Sequence, residues 1–159
     1  MHWSVALPLA VGAYATRSWV GPAAFLLVVV AHAVGHALVR RWCGGQPEGI
    51  WVHALGGHAG MKGDLSAWQD CAIAWGGVMG QAVLFAAASL AARFAPGPLP
   101  PDLGTFLAAL ALWNLFIAFA NLIPTESLDG GRAWRILPLA WAGLARRLTR
   151  ALRRGRDRD

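Results

Sequence analysis

The chain has 159 residues, the length of a single domain, and 57% of them are hydrophobic while only 14% are charged. A soluble domain is usually about one quarter charged, so this composition, with a mean hydropathy of +0.46, excludes an ordinary soluble protein. The nine tryptophans are typical of a chain that crosses the membrane–water interface repeatedly. The composition therefore predicts an integral membrane protein.

The formal net charge of +6 is concentrated at the carboxyl end of the chain. Behind an apolar body, such a run is typical of a basic segment that faces anionic lipid headgroups, and a nucleic-acid-binding tail is the alternative. We predict a membrane-embedded core over residues 1–145, a basic cytoplasmic tail over residues 146–159, and no nucleic-acid partner. The arginines of this tail are Arg146, Arg147, Arg150, Arg153, Arg154, Arg156 and Arg158.

The first long helix is predicted over residues 22–41. Residues 3–16 before it are apolar but short, and a proline and a glycine interrupt them. A helix of about 20 residues is long enough to cross a hydrocarbon core of roughly 30 Å. The helix ends in Arg40 and Arg41, and the positive-inside rule places that end in the cytoplasm.

Residues 43–66 are rich in glycine, and residues 50–55 are the best candidate for a strand. We expect a short hairpin or strand pair near residues 48–60. Such backbone is tolerated at membrane depth only where protein or a water-filled cavity covers it.

Two more membrane helices are predicted, over residues 67–93 and 102–122, joined by a proline-rich external turn at 95–101. The first of them contains small residues that allow close approach of a neighbouring helix. These residues are Gly76, Gly77 and Gly80.

The last helix is predicted to lie at the membrane surface. Only ten uncharged residues separate Arg135 from Arg146, and Pro138 is among them, which is too short to span a bilayer. The predicted fold is therefore mainly α: a polytopic bundle of about three or four membrane spans, an interfacial C-terminal helix and a short β-hairpin.

Two histidines in the first long helix suggest a metal site. His32 and His36 are four residues apart and so share one helical face, where both imidazoles can reach one ion. In the zinc-protease pattern His-Glu-x-x-His, the residue after the first histidine is the glutamate that acts as general base. Here that residue is Ala33.

A third ligand is available in the polar segment 121–131. Pro124 breaks the preceding helix, and Asp129 is followed by two glycines. An aspartate in this position is also a common helix N-cap, which needs no metal. Two histidines and one carboxylate would make a three-ligand zinc site with an open fourth position, as in catalytic zinc sites.

These motifs, in this order, resemble the site-2 protease family of intramembrane zinc metalloproteases, over most of residues 22–135. The resemblance implies one zinc ion held by His32, His36 and Asp129. It also implies hydrolysis of a substrate's transmembrane segment near the cytoplasmic face of a bacterial or archaeal membrane. The stretches that carry it are His32-Ala33-Val34-Gly35-His36, Leu55-Gly56-Gly57, Trp75-Gly76-Gly77-Val78-Met79-Gly80-Gln81, Asn121-Leu122-Ile123-Pro124 and Leu128-Asp129-Gly130-Gly131.

Substrate contacts are predicted from the same stretches. Gln81 stands where the family usually carries an asparagine, and Asn121 is predicted to hold loop backbone or substrate. A strand such as 50–55 could hold unwound substrate by edge pairing. We therefore predict Val52, Gly56 and Gly57 as further substrate-binding residues.

Because residue 33 is alanine, this sequence lacks the glutamate that would act as proton acceptor. Glu126 is the only other carboxylate in the metal-bearing loop, and it could equally face water or cap a helix. A single deliberate Glu-to-Ala change would explain an otherwise intact site, and we favour it. A natural pseudoprotease that binds membrane helices is the alternative, and a zinc carrier or membrane scaffold is the rival from another functional class.

Overall fold

The fold is described from a computed structural model. The structure describes residues 18–45, 50–53, 56–59 and 65–156, so the apolar segment at 3–16 lies outside it. Its elements in chain order are α1 (Val20–Trp42), β1 (Ile50–His53), β2 (Gly56–Ala59), α2 (Ala67–Arg93), α3 (Pro101–Leu122), α4 (Asp129–Ala133) and α5 (Ile136–Arg156).

Helices α1, α2 and α3 are long and apolar enough to cross a membrane, at 23, 27 and 22 residues. At 1.5 Å per residue each exceeds the roughly 30 Å of a hydrocarbon core. The three spans predicted from the sequence are therefore confirmed as helices. Within the described ranges the number of such helices is three, the lower end of the predicted three or four.

Local signals explain where these helices begin and end. The side chain of Ser66 accepts a hydrogen bond from the backbone N–H of Gln69, and the Gln69 side chain accepts one from the Ser66 N–H, which is a capping box. Pro101 opens α3, where its missing N–H costs nothing. Ile123 has an extended conformation that Pro124 imposes, and α3 ends there.

The two strands lie between α1 and α2 in the chain and pair antiparallel. Ile50 is opposite Ala59, and His53 is opposite Gly56. The two-stranded sheet contacts α1. Residues 54 and 55, which complete the predicted strand, lie outside the described residues.

Helix α1 is packed between α2 and α3. Its contact with α3 is an apolar cluster that includes Val28, Val29, Ala33 and Ile117. Its contact with α2 brings backbone against backbone at the glycines of the two helices. A Cβ atom added to Gly35 would overlap the carbonyl oxygen of Gly76, and one added to Gly76 would lie 2.8 Å from the Gly35 oxygen.

The glycines of α2 therefore have the predicted role. Gly76 and Gly80 allow α1 to approach at backbone distance, since an added Cβ on Gly80 would overlap the carbonyl oxygen of Ala31. The sequence of α2 therefore has both the apolar length of a membrane span and the small residues that its close contact with α1 requires.

We expect Gly76→Ala to lower the free energy of unfolding by about 1–3 kcal/mol, because the added methyl group forces the two helices apart. Gly104→Ala in α3 is the matched control, since a Cβ there meets nothing within 4 Å. Equilibrium unfolding in mixed micelles measures both. Equal stability of the two variants would contradict the backbone contact between α1 and α2.

Candidate metal centre

Three side chains from two distant parts of the chain converge below the surface. His32 and His36 come from α1 and Asp129 is the first residue of α4, and all three are buried. The Oδ2 atom of Asp129 lies 3.1 Å from Nε2 of His32 and 2.9 Å from Nε2 of His36, and the two Nε2 atoms are 2.9 Å apart. These three residues form the metal-ligand cluster among the described residues.

The second nitrogen of each imidazole is held by an acceptor on α2. Nδ1 of His36 donates to the backbone oxygen of Ile73 at 2.7 Å, and Nδ1 of His32 donates to Oε1 of Gln81 at 3.0 Å. A backbone carbonyl only accepts, so the Nδ1 atom of His36 must carry the proton. In the neutral ring, Nε2 then presents a lone pair towards Asp129, which is the form that binds metals.

The amide of Gln81 is oriented in turn by α3. Its nitrogen donates to the backbone oxygen of Asn114 at 3.3 Å, which leaves Oε1 facing His32. The side chain of Asn114 donates to the backbone oxygen of Gln81 at 3.0 Å. This exchange joins α2 to α3, and it fixes the acceptor that holds His32.

The donor set fits a zinc ion. Two imidazole nitrogens and one carboxylate oxygen are acceptors that face one point, and a cation there would offset their mutual repulsion. Tetrahedral ligands at about 2.0 Å from zinc lie roughly 3.3 Å from one another. The observed separations of 2.9–3.1 Å differ from that value by only a few tenths of an ångström.

Backbone geometry places the carboxylate. A Cβ atom on Gly130 would lie 2.5 Å from the carbonyl oxygen of Leu122, and one on Gly131 would lie 2.8 Å from the carbonyl carbon of Thr125. The two glycines let the chain fold back against the end of α3. The indole of Trp134 donates to the same Leu122 oxygen at 2.7 Å and closes this turn.

The other oxygen of Asp129 is bound by an arginine. Nη2 of Arg132 lies 3.0 Å from Oδ1 of Asp129, and its Nη1 lies 3.3 Å from Oδ1 of Asp70 on α2. The positive charge of Arg132 beside Asp129 favours the ionised form of this carboxylate. The carboxylate is therefore ionised at neutral pH, as a metal ligand must be.

Space for the imidazoles is made by Gly77. A Cβ atom there would lie 2.6 Å from Nδ1 of His32 and 2.6 Å from Nε2 of His36. Position 77 is therefore restricted to glycine because any side chain there would occupy the space of the histidine rings. The sequence alone predicted only a close helix contact at this position.

Position 33 carries no proton acceptor in this site. Ala33 is buried in the apolar cluster between α1 and α3, and its side chain has no polar atom. Glu126, the candidate replacement base, is exposed and does not belong to the metal-ligand cluster.

Two predicted substrate-binding residues have hydrogen-bond partners within the protein. Gln81 is fully buried, and its amide is bound to His32 and Asn114. Asn121 is also buried, and its amide nitrogen donates to the Ile117 oxygen one turn back in its own helix at 3.0 Å. The substrate roles of both residues stay predictions.

The remaining substrate-binding predictions fall in the strands. Val52 of β1 is opposite Gly57 of β2, and Gly56 is opposite His53. Their roles stay predictions. Sequence reasoning missed the Ile73 carbonyl, Arg132 and Asp70, and only the i, i+3 spacing of Asp129 and Arg132 could have pointed to one of these contacts.

Comparison with known proteins agrees with this site. The sequence model of the family described as "Peptidase M50B-like" matches residues 4–128, most of the chain. The chain belongs to this family. The predicted resemblance to site-2 proteases is thereby confirmed.

Two curated relatives of this M50B-like chain are named as zinc metalloproteases. "Putative zinc metalloprotease sll0528" of Synechocystis is 35% identical over 104 residues, which are 65% of this chain and 27% of the relative. "Putative zinc metalloprotease Rip3" of Mycobacterium tuberculosis is 33% identical over 142 residues, 84% of this chain and 36% of the relative. The chain thus spans only about a quarter to a third of the length of these relatives.

The fold is also similar to a solved structure. The site-2 protease from Methanocaldococcus jannaschii aligns with a TM-score of 0.65 at 24% identity, covering 84% of this chain and 62% of that one. The M50B-like chain therefore shares the helical fold of that protein.

We expect Gln81→Met to lower zinc affinity about 10–100-fold, because His32 loses the acceptor that orients its ring and fixes its tautomer. Gln69→Met is the matched control, since the Gln69 amide contacts Ser66 and Cys43 instead. Competition with a chromogenic chelator measures the zinc affinity. Equal affinities for the two variants would show that Gln81 does not support the metal centre.

Proposed function

We propose that this chain is the zinc-binding core of an intramembrane metalloprotease of the site-2 type, acting on transmembrane segments of membrane proteins. The observation that carries the proposal is the buried cluster of His32, His36 and Asp129. Both histidines are held through Nδ1, and all three donor atoms face one point. A site of this composition, with three protein ligands, belongs to catalytic rather than structural zinc.

The residues of the chain would have the following roles in catalysis. His32, His36 and Asp129 would hold one zinc ion, which would supply Lewis-acid activation of water and of the scissile carbonyl. Arg132 binds Oδ1 of Asp129 and so orients the carboxylate. Ala33 occupies the position of the general base and has no atom that accepts a proton, so the chain as written binds zinc and substrate but does not cut efficiently.

The strands offer a way to hold an unwound substrate. In the part of the chain that the structure describes, β1 and β2 form a two-stranded sheet, and each strand of such a sheet has one edge without a partner strand. A peptide bond inside a helix is shielded, so a substrate must be extended before cleavage. We propose that it pairs along this sheet, close to Val52, Gly56 and Gly57.

The proposed location is a bacterial or archaeal plasma membrane, with the site near the cytoplasmic face. His36 lies six residues before the end of α1 at Trp42, which is about 9 Å along the helix. Arg40 and Arg41 lie in that last turn, and positive residues favour the cytoplasmic side. Asp129 follows the end of α3, at the same end of the bundle.

Restoring the base tests the function directly. We expect Ala33→Glu to raise the rate of cleavage of single-span membrane peptides by about 10²–10⁴-fold, because the carboxylate accepts the proton of the attacking water. Ala33→Gln is the matched control, with the same size and no base. Electrophoresis of labelled peptides in zinc-loaded proteoliposomes gives the rates, and metal analysis gives the zinc content of each variant.

The outcome also separates the two explanations of Ala33. Cleavage by the glutamate variant alone supports a protease core inactivated by one substitution. Tight zinc and peptide binding without cleavage, in a variant that keeps its zinc, would instead support a pseudoprotease that binds membrane helices.

The ligand assignment has its own test. We expect Asp129→Ala to abolish tight zinc binding, because two histidines alone leave the site one ligand short. Glu126→Ala is the matched control from the same loop, since Glu126 is exposed and outside the cluster. Metal analysis after dialysis should find one zinc per chain in the control and none in the variant. Zinc retained by both variants would overturn the assignment and favour a different metal-binding function.

A further inference from the structure

Helix α5 has an apolar stripe that the other described residues of the protein leave exposed. Four large side chains, at spacings of four, three and four residues, share one helical face. Each is more than half exposed, although apolar side chains of this size are normally buried in a protein. The stripe consists of Leu137, Trp141, Leu144 and Leu148.

The other side of α5 is strongly basic. Its sequence from Ile136 to Arg156 contains no aspartate or glutamate, so the arginines have no acidic partner within the helix. They are exposed, and no ion pair joins them to the described remainder of the chain. The arginines whose side chains the structure describes here are Arg146, Arg147, Arg150, Arg153 and Arg154.

The helix cannot cross the membrane in this form. It has 21 residues, enough in length, but the arginines crowd its second half and it is not among the described helices that are apolar enough to span. It begins seven residues after Asp129, which places its start at the metal-cluster end of the bundle.

We propose that α5 lies in the plane of the leaflet at the metal-cluster end, with its apolar stripe among the lipid chains and its arginines on anionic headgroups. An anionic leaflet provides both an apolar layer and negative phosphates, so it matches the two faces of α5 at once. Trp141 within the stripe lies at the depth where indole rings concentrate.

Two other possible partners would match only one of the two faces of α5. A nucleic acid would neutralise the arginines but leave the four apolar side chains in water. A second copy of α5 packed along the stripe would bring two basic helices together with no acidic residue between them. Charge complementarity therefore favours lipid. The inference does not require proteolytic activity.

The test places a nitroxide label at single positions in the full chain, in nanodiscs. The background changes are Cys43→Ser and Cys71→Ser, the second of which keeps a donor for the Arg132 carbonyl. One labelled variant is Leu144→Cys in the stripe, and its matched control is Arg150→Cys on the basic face. Collision with oxygen reports lipid and collision with a nickel chelate reports water.

In discs that contain phosphatidylglycerol, position 144 should favour oxygen and position 150 the nickel chelate. Changing Arg146, Arg147 and Arg153 to glutamine should weaken the binding of α5 to the membrane. The ratio of membrane-bound to water-exposed label at position 144 should fall by about fivefold per arginine. Changing the same three residues to lysine should preserve the ratio, because the charge is retained.

Three results would overturn the proposal. The first is a label at position 144 that stays in water in phosphatidylglycerol discs. The second is immobilisation of position 150 by added duplex DNA rather than by anionic lipid. The third is spin–spin broadening at position 144, which indicates a second copy on the stripe. The zinc content is measured on the same samples. It shows whether a result that contradicts the membrane position of α5 occurs in a protein whose metal site is intact.

Discussion

The backbone contact between α1 and α2 is the constraint on which the metal centre depends. Gly35 and Gly76 let the two helices approach so closely that no side chain fits between them. At this separation the face of α2 at positions 73, 77 and 81, one turn apart, lies against the two histidines. Ile73 supplies a carbonyl, Gly77 supplies space and Gln81 supplies an amide oxygen. Histidine geometry is thus a consequence of helix packing.

The carboxylate of Asp129 reaches the two histidines by an independent route. Asp129 opens a five-residue helix, which is too short to hold its own orientation. Contacts with α2 and α3 hold it instead: Cys71 and Trp75 donate to the carbonyls of Arg132 and Ala133, and Trp134 donates to α3 at Leu122. Arg132 adds an ion pair to Asp70. The carboxylate is therefore positioned by its neighbours on both sides, which limits the rearrangement that metal binding would require.

The sequence predicts the parts of this design that depend on local spacing. The three spans follow from apolar length, and the pairing of His32 with His36 follows from the helical repeat. From the residues alone Asp129 is a candidate ligand with a helix N-cap as the alternative, because its partners are more than 90 residues away. The partners of Gln81 could not be predicted for the same reason: they lie on α1 and α3, 49 and 33 residues away, and no local pattern distinguishes an amide that orients a histidine from one that binds substrate. Long-range contacts decide what a buried polar side chain does.

The position of Ala33 shows that its side chain and the histidine cluster do not depend on one another. Position 33 is one residue after His32 and three residues before His36, so it borders the face that the two histidines share. It lies in the apolar cluster with Val29 and Ile117, and none of the hydrogen bonds that fix the histidines passes through it. A different side chain there would leave the imidazole tautomers, the carboxylate and the glycine that makes room for the rings unchanged. The arrangement of the cluster is therefore set by its contacts with α2 and Arg132, whatever residue occupies position 33.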